Sequence, residues 1–208
     1  MTRETMAIQG GRYRGRRLKT PPPVKGQANF TPGLVKEAAF QILDNLIRGE
    51  FSSRPEEFAF FDLCSGSGQM GLEALSRSFR EVHLAELNSE RFSFLVKAVA
   101  PYTPKPRLHN KDFARMASRI AENLPAAVYI DPPYSCWEGA SCPRLSRLRA
   151  ELQEQEISDP ANAGLILLIQ GPRGLEDPLE EGGPWRVQRE IRTYRKQILT
   201  QEVWRPTG

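Results

Sequence analysis

The apolar positions of this chain change period several times, and each change predicts an element. Between residues 32 and 48, Leu34, Val35, Ala38, Ala39, Ile42, Leu43 and Leu46 recur every three or four positions, as on one face of an amphipathic helix. Thr31 before Pro32 reads as its N-cap, followed by a first-turn proline. Residues 58–63, Phe-Ala-Phe-Phe-Asp-Leu, then form a short and almost continuously apolar run, the mark of a buried parallel strand. The same reading predicts strands at 82–85, 107–109, 126–130 and 165–169, and helices at 72–77, 90–100, 114–123 and 144–156. The last two stretches, 185–191 and 197–204, have no helix between them and read as an antiparallel pair. Strands alternating with helices imply an α/β fold with a mostly parallel, doubly wound sheet.

The first 30 residues break this pattern. Gly10-Gly11, Gly15 and the run Pro21-Pro22-Pro23 exclude a long helix but permit a short hairpin and an extended linker. Two short strands are expected there, at 6–9 and 13–19, which divides the chain into an arm (1–30) and a main domain (31–208). Charge sharpens the division. The whole chain carries a formal +4, whereas residues 1–25 alone carry +6, leaving −2 for the remaining 183 residues. Arg12, Arg14, Arg16, Arg17 and Lys19 therefore read as an electrostatic footprint for phosphates. A solvated basic tail has the same composition, so charge alone does not decide.

Composition narrows the remaining classes. At 208 residues, 39% hydrophobic and 26% charged, the chain reads as one soluble globular domain. The opening lacks an apolar h-region and no apolar run reaches bilayer length, so a cytoplasmic protein is expected. Cys64, Cys136 and Cys142 are odd in number and lack C-x-x-C spacing, which argues against a disulfide framework and a structural zinc site. No metal is expected, and a monomer is the default.

Candidate chemistry begins after the first buried strand. Gly66, Gly68 and Gly71 satisfy G-x-G-x-x-G between a predicted strand and a predicted helix, letting a ligand approach the backbone closely. Glu86 lies 20 residues beyond Gly66, at the end of the next strand, where its carboxylate can accept from both hydroxyls of an adenosine ribose. Asp62 separates two cofactor classes. A strand-end carboxylate can meet the ammonium of a methionine moiety but repels a pyrophosphate; its structural alternative is to cap the loop. Asp112 can accept from an adenine amino group or cap the helix beginning at Phe113, or do both. Ser65 and Ser67 in the loop, with Leu87 and Phe113 beside the two acids, complete the candidate cofactor set.

The segment Asp131-Pro132-Pro133-Tyr134 follows a strand and carries the second half of the chemistry. Two prolines remove two backbone donors and fix the chain, leaving the Asp131 carboxylate and main-chain carbonyls as acceptors. Such acceptors can hold both protons of an exocyclic amine and turn its lone pair towards an electrophilic methyl. Tyr134 can stack on a flat ring, a contact worth ~1–3 kcal/mol per base. In isolation the segment is equally a proline-rich turn; its place downstream of the glycine loop favours the chemical reading.

Residues 6–18 (Met-Ala-Ile-Gln-Gly-Gly-Arg-Tyr-Arg-Gly-Arg-Arg-Leu), 62–77 (Asp-Leu-Cys-Ser-Gly-Ser-Gly-Gln-Met-Gly-Leu-Glu-Ala-Leu-Ser-Arg) and 131–134 together resemble the RsmD family of bacterial 16S ribosomal RNA guanine-N2 methyltransferases. The resemblance spans nearly the whole chain, and its basic arm is the most family-specific part. It implies a Rossmann-like seven-stranded sheet with an antiparallel C-terminal strand and an N-terminal RNA-binding hairpin. It further implies S-adenosylmethionine as cofactor, held by Gly66, Gly68, Glu86 and Asp112, with Asp131 and Tyr134 at the target base. The expected partner is ribosomal RNA or a 30S assembly particle, with Arg186, Arg189, Arg192, Arg195 and Lys196 helping the arm. The chain departs from the family at residues 29–34, Asn-Phe-Thr-Pro-Gly-Leu, where an Arg-Pro-Thr-Thr-Asp-Arg-type segment is usual. It departs again at Gln170, usually an acid, and at 194–197, which lacks a glycine. Methylation of another RNA or DNA amine, and a non-catalytic RNA-binding relative, are the alternatives these departures leave open.

Overall fold

The computed structural model describes residues 6–21, 23, 31–171, 183–194 and 197–207. In chain order the elements are α1 (Gly33–Phe51), β1 (Ala59–Asp62), α2 (Gln69–Ser76), β2 (Glu81–Ala85), α3 (Ser89–Val99), β3 (Arg107–His109), α4 (Ala117–Ala121), β4 (Ala126–Ile130), α5 (Pro143–Gln153), β5 (Leu165–Gly171), β6 (Trp185–Tyr194) and β7 (Gln197–Pro206). One seven-stranded sheet runs in the order β3-β2-β1-β4-β5-β7-β6. The first five strands in that order pair in parallel, while β7 pairs antiparallel with both β5 and β6. The fold is Rossmann-like, with the expected antiparallel terminal pair.

Both faces of the sheet are covered, and the period of two sorts its residues between them. Phe60, Ala127, Tyr129, Ile166 and Leu168 pack with α1, α2, α3 and Ile8 of the arm. Their neighbours Ala59, Phe61, Ala126, Val128, Ile130, Leu165, Leu167 and Ile169 pack with α5 and with Ile120 of α4. This explains why β1, β4 and β5 read as unbroken apolar runs: each is buried throughout. Strand order reverses between β1 and β4, where Asp62 stands opposite Tyr129. Such a reversal opens a crevice at the carboxyl ends of the strands.

Three local expectations need correction. The arm does not form two strands. It doubles back through a 3-10 turn at Gly11–Tyr13, with a single bridge between Ala7 and Arg17. Three backbone bonds cross it, Ile8 N to Arg16 O at 3.0 Å, Gly15 N to Ile8 O at 2.8 Å and Leu18 N to Met6 O at 2.9 Å, and beyond Ile8 the Gln9 and Gly10 N–H groups donate to Glu73. The helix expected at 114–123 is split into a 3-10 turn, Phe113–Arg115, and the short α4. Finally, Thr31 does not cap α1. The helix starts at Gly33 with Pro32 at its N-cap and no side-chain capping bond.

Candidate functional site

Asp62, Tyr129 and Gln170 have the strand parity that faces α1 and α2, and each lies at or near the carboxyl end of its strand. Asp131 follows the end of β4 with the same parity. Around these ends opens a cleft of about 720 Å³. Asp62, Ser65, Gly66, Ser67, Glu86, Leu87, Asp112, Phe113, Asp131, Pro132, Pro133 and Tyr134 all line it. Residues separated by up to 72 positions in sequence therefore share one cavity.

The glycine loop is built by backbone economy. Gly68 N donates to Ser65 O at 2.6 Å, and Gly68 adopts φ +75° as the N-cap of α2. A Cβ at Gly71 would stand 1.9 Å from Leu84 Cδ2, so with any other residue there the buried Leu84 side chain or α2 itself must shift. Gly68 shapes the turn but does not itself line the cleft. The Ser65 hydroxyl donates to Asp62 O at 2.7 Å, and Gln69 N donates to Ser67 Oγ at 3.4 Å.

Glu86 grips the loop from β2. Its Oε2 accepts from Gly66 N at 2.9 Å and its Oε1 from Asn88 N at 2.8 Å. Each oxygen keeps a further lone pair for a ligand hydroxyl. Asp62 takes the structural role the sequence left open, its Oδ2 accepting from Gly71 N at 3.1 Å. Burial pushes its carboxyl up to about 7 against that bond, with Glu86 and Asp131 adding to the rise. Asp112 likewise caps its 3-10 turn, accepting from Ala114 N at 3.1 Å, and lies 3.6 Å from Arg144 Nη1.

At the other end, burial also raises the Asp131 carboxyl to about 7. Tyr134 is 61% exposed, leaving its ring open to a stacking partner. Pro132 O accepts from the Trp137 indole at 3.3 Å. Gln170 Oε1 accepts from the buried Tyr129 hydroxyl at 2.6 Å, at the register position beside Asp131. Gln69 Nε2 donates to Thr31 O at 3.1 Å, tying the segment before α1 to the start of α2. Sequence reasoning missed Trp137, Arg144, Arg91 and Tyr129, which also line the cleft. Trp137, six residues after Asp131, was the most legible of these, as an aromatic residue three positions beyond the motif.

The arm packs on α2 away from the glycine loop. Tyr13 N donates to Ser76 Oγ at 2.8 Å, and the Tyr13 hydroxyl donates to Thr103 O at 2.9 Å. Arg12, Arg14, Arg16, Arg17 and Lys19 are exposed, with the Arg12 guanidinium over Tyr13 and that of Arg16 over Tyr102. Of the C-terminal basic residues, Arg189 is committed to Glu202 at 2.7 Å, correcting its expected role in holding phosphate. Arg192 pairs with Glu190, Arg186 lies on the edge strand β6, and Arg195 and Lys196 fall outside the described residues, as do Asn29 and Phe30. Among the described residues no helix is long and apolar enough to cross a membrane.

Comparison with known proteins agrees with this architecture. A candidate methyltransferase of Escherichia coli, yhhF, superposes with TM-score 0.65 at 19% identity, covering 98% of this chain and 99% of that one. A candidate methylase of Haemophilus influenzae gives 0.60 at 20% identity, with the same coverage of both chains. An RNA methyltransferase of Salinibacter ruber, solved with S-adenosyl-L-homocysteine, gives 0.54 at 14% identity over 86% of this chain and 95% of that one. No curated protein matches the sequence. The family described as conserved hypothetical protein 95 matches residues 6–156, which is most of the chain and includes the arm, the glycine loop and the Asp-Pro-Pro-Tyr segment. The chain belongs to this family, that of the RsmD-type methyltransferases.

Proposed function

We propose that the protein transfers a methyl group from S-adenosylmethionine to the N2 amine of a guanine in 16S ribosomal RNA. The observation that carries this reading is the shared cleft: the glycine loop with Glu86 opens onto the same cavity as Asp131-Pro132-Pro133-Tyr134. The chemistry of the lining fits the cofactor. Asp62 and Glu86 suit a ligand bearing an ammonium, a sulfonium and a ribose diol, and would repel a pyrophosphate. In this reading Glu86 accepts from the ribose hydroxyls, Asp112 with Phe113 lies at the adenine, and Asp62 faces the methionine ammonium. Ser65, Gly66, Ser67, Gly68 and Leu87 shape the pocket.

Bound S-adenosylmethionine supplies an electrophilic methyl whose transfer forms an N–C bond, breaks the C–S bond and releases one proton from the amine. The protein's part is orientation and exclusion of water. The Asp131 carboxylate and the Pro132 carbonyl hold the amine hydrogens, Tyr134 stacks on the base, and Asp131 takes the proton as the N–C bond forms. A base inside a helix cannot reach Asp131, so the target is unpaired or flipped out. The arm's exposed Arg14, Arg17 and Lys19 hold phosphates, with Arg12 and Arg16 beside them.

The test is incubation with methyl-labelled S-adenosylmethionine and 30S particles or 16S RNA from cells lacking the gene, with Asp131→Ala as control. Label recovered as N2-methylguanosine with wild type and absent with the variant is the expected result. Cofactor binding without label in the RNA would overturn the substrate assignment.

A further inference from the structure

Trp137 stands at the amine end of the cleft in a way the reaction outlined above does not yet use. Its indole Nε1 donates to Pro132 O at 3.3 Å, and the half-buried ring lines the cavity with Asp131 and Tyr134. The main chain that carries the ring is fixed. Cys136 N donates to Pro133 O at 2.8 Å and Trp137 N to Tyr134 O at 3.1 Å, so a 3-10 turn ties Trp137 to the motif. On its other side Glu138 and Ser141 exchange backbone bonds of 2.8 and 3.2 Å before α5 begins.

The carbonyl that Trp137 meets is chemically singular. Pro132 and Pro133 contribute no N–H, so over these two residues the backbone offers acceptors alone. An indole nitrogen is only a donor, as is each N–H of an exocyclic amine. At 3.3 Å the bond lies beyond the usual 2.7–3.2 Å range and is readily exchanged. It keeps a sheltered carbonyl satisfied when no base is present, and it offers the same hydrogen-bonding character that the substrate brings.

We propose that Trp137 is a positioning residue: its indole N–H occupies the Pro132 carbonyl in the free protein and yields that acceptor to the target amine, the ring then flanking the bound base. This rests on the methyltransferase reading above. The Pro132 oxygen has two lone pairs, but two donors crowded on one oxygen weaken each other, so removing the indole N–H while keeping an aromatic ring strengthens substrate binding. Removing the ring weakens it.

Steady-state methyl transfer with wild type, Trp137→Phe and Trp137→Ala tests this. Trp137→Phe should lower KM for the RNA by about three- to tenfold, the scale of one released hydrogen bond, with kcat held within about twofold. Trp137→Ala should raise KM. A purely structural tryptophan would give the opposite sign for the Phe variant, and an unchanged or raised KM in Trp137→Phe overturns the proposal. A second readout needs no variant. Trp185 and Trp204 are buried, with indoles donating to Leu152 O and Glu202 Oε2, so Trp137 alone of the three lines the cleft. In wild type saturated with S-adenosylhomocysteine, adding unmethylated 16S RNA should move one indole N–H resonance and leave two in place. Three unmoved resonances with an enzyme that transfers methyl overturn the inference alone. An enzyme that binds S-adenosylhomocysteine but transfers no methyl overturns the underlying reading, and the inference with it.

Discussion

Lys36 Nζ and a Glu73 carboxylate oxygen meet at 3.1 Å in the interior, both side chains almost wholly buried. Lys36 also donates to Ala7 O at 2.5 Å, while Glu73 accepts from the Gln9 and Gly10 N–H groups at 2.7 and 2.8 Å and from Arg77 Nε at 2.9 Å. This one ion pair therefore joins α1, α2 and the arm. Burial lowers the Lys36 pKa, and the Glu73 charge opposes that fall.

Breaking a buried pair by removing one partner typically costs ~3–5 kcal/mol, because the other charge stays buried. Glu73→Gln strands Lys36 and weakens two backbone anchors, so its Tm should fall by roughly 10 °C for a domain of this size. Lys36→Met should cost less, since Glu73 keeps Arg77 and two backbone donors. Limited trypsin digestion should cut the arm faster in both variants. A Glu73→Gln protein that melts with wild type would refute the clamp.

This clamp marks where sequence reasoning stopped. Strand and helix order was legible because β1, β4 and β5 are buried on both faces and α1 on one, so local periodicity reports tertiary burial directly. The glycine loop, Glu86 and Asp131 were legible because their spacing encodes a turn, a strand length and a motif. Glu73 was not. Its partners lie 63 and 64 residues upstream in the arm and on another helix, and a charged residue inside a helix ordinarily faces water. The arm, too, is shaped by this residue: its paired stretch is short, and directly beyond Ile8 the Gln9 and Gly10 N–H groups turn to Glu73. Arg189 carried no sign that Glu202, across the β6–β7 pair, would claim it.

The raised Asp131 carboxyl gives a pH dependence of definite sign. In the proposed reaction it can take the amine proton only when ionised, so kcat/KM should rise as pH increases through about 7. Asp131→Asn should lower activity by roughly 10²-fold or more, the scale of lost general-base function, and flatten that limb of the profile. Stability moves the other way. A carboxyl whose folded pKa exceeds its unfolded value stabilises the fold below the unfolded pKa and loses that contribution as pH rises through about 7. At pH 8, Asp131→Asn should therefore melt at or above wild type despite its inactivity. A variant both inactive and markedly less stable would show that Asp131 holds structure instead.

The Tyr129 hydroxyl is held in the core by Gln170, and burial keeps it protonated by raising its pKa well above the usual phenol value. Tyr129→Phe leaves Gln170 Oε1 without this donor inside a buried site, a loss of ~1–3 kcal/mol. The amide beside Asp131 then loses one of its anchors. The expected outcome is a lower Tm together with a raised KM for RNA and little change in S-adenosylhomocysteine affinity, measured by calorimetry. Equal loss of cofactor and RNA binding would place the effect in the whole cleft rather than at the target base.

Two sets of arginines separate RNA contact from structure. Arg14 and Arg17 are exposed on the arm, and among the described residues neither has an acidic partner within ion-pair distance. Arg189, by contrast, is mostly buried against Glu202, which Arg149 also approaches at 3.2 Å. If the arm holds phosphates, each contact releases counterions and steepens the fall of log K with log salt by ~0.7–0.9. Arg14→Ala with Arg17→Ala should thus reduce that slope by about 1–2 and leave the melting curve unchanged, as surface substitutions usually do. Arg189→Ala should do the reverse: it lowers stability by leaving Glu202 under-compensated, and leaves the slope where it was. Filter binding of 16S RNA across a salt series, paired with thermal melts, reads both quantities. A slope that survives loss of both arm arginines would move the phosphate contacts off the arm.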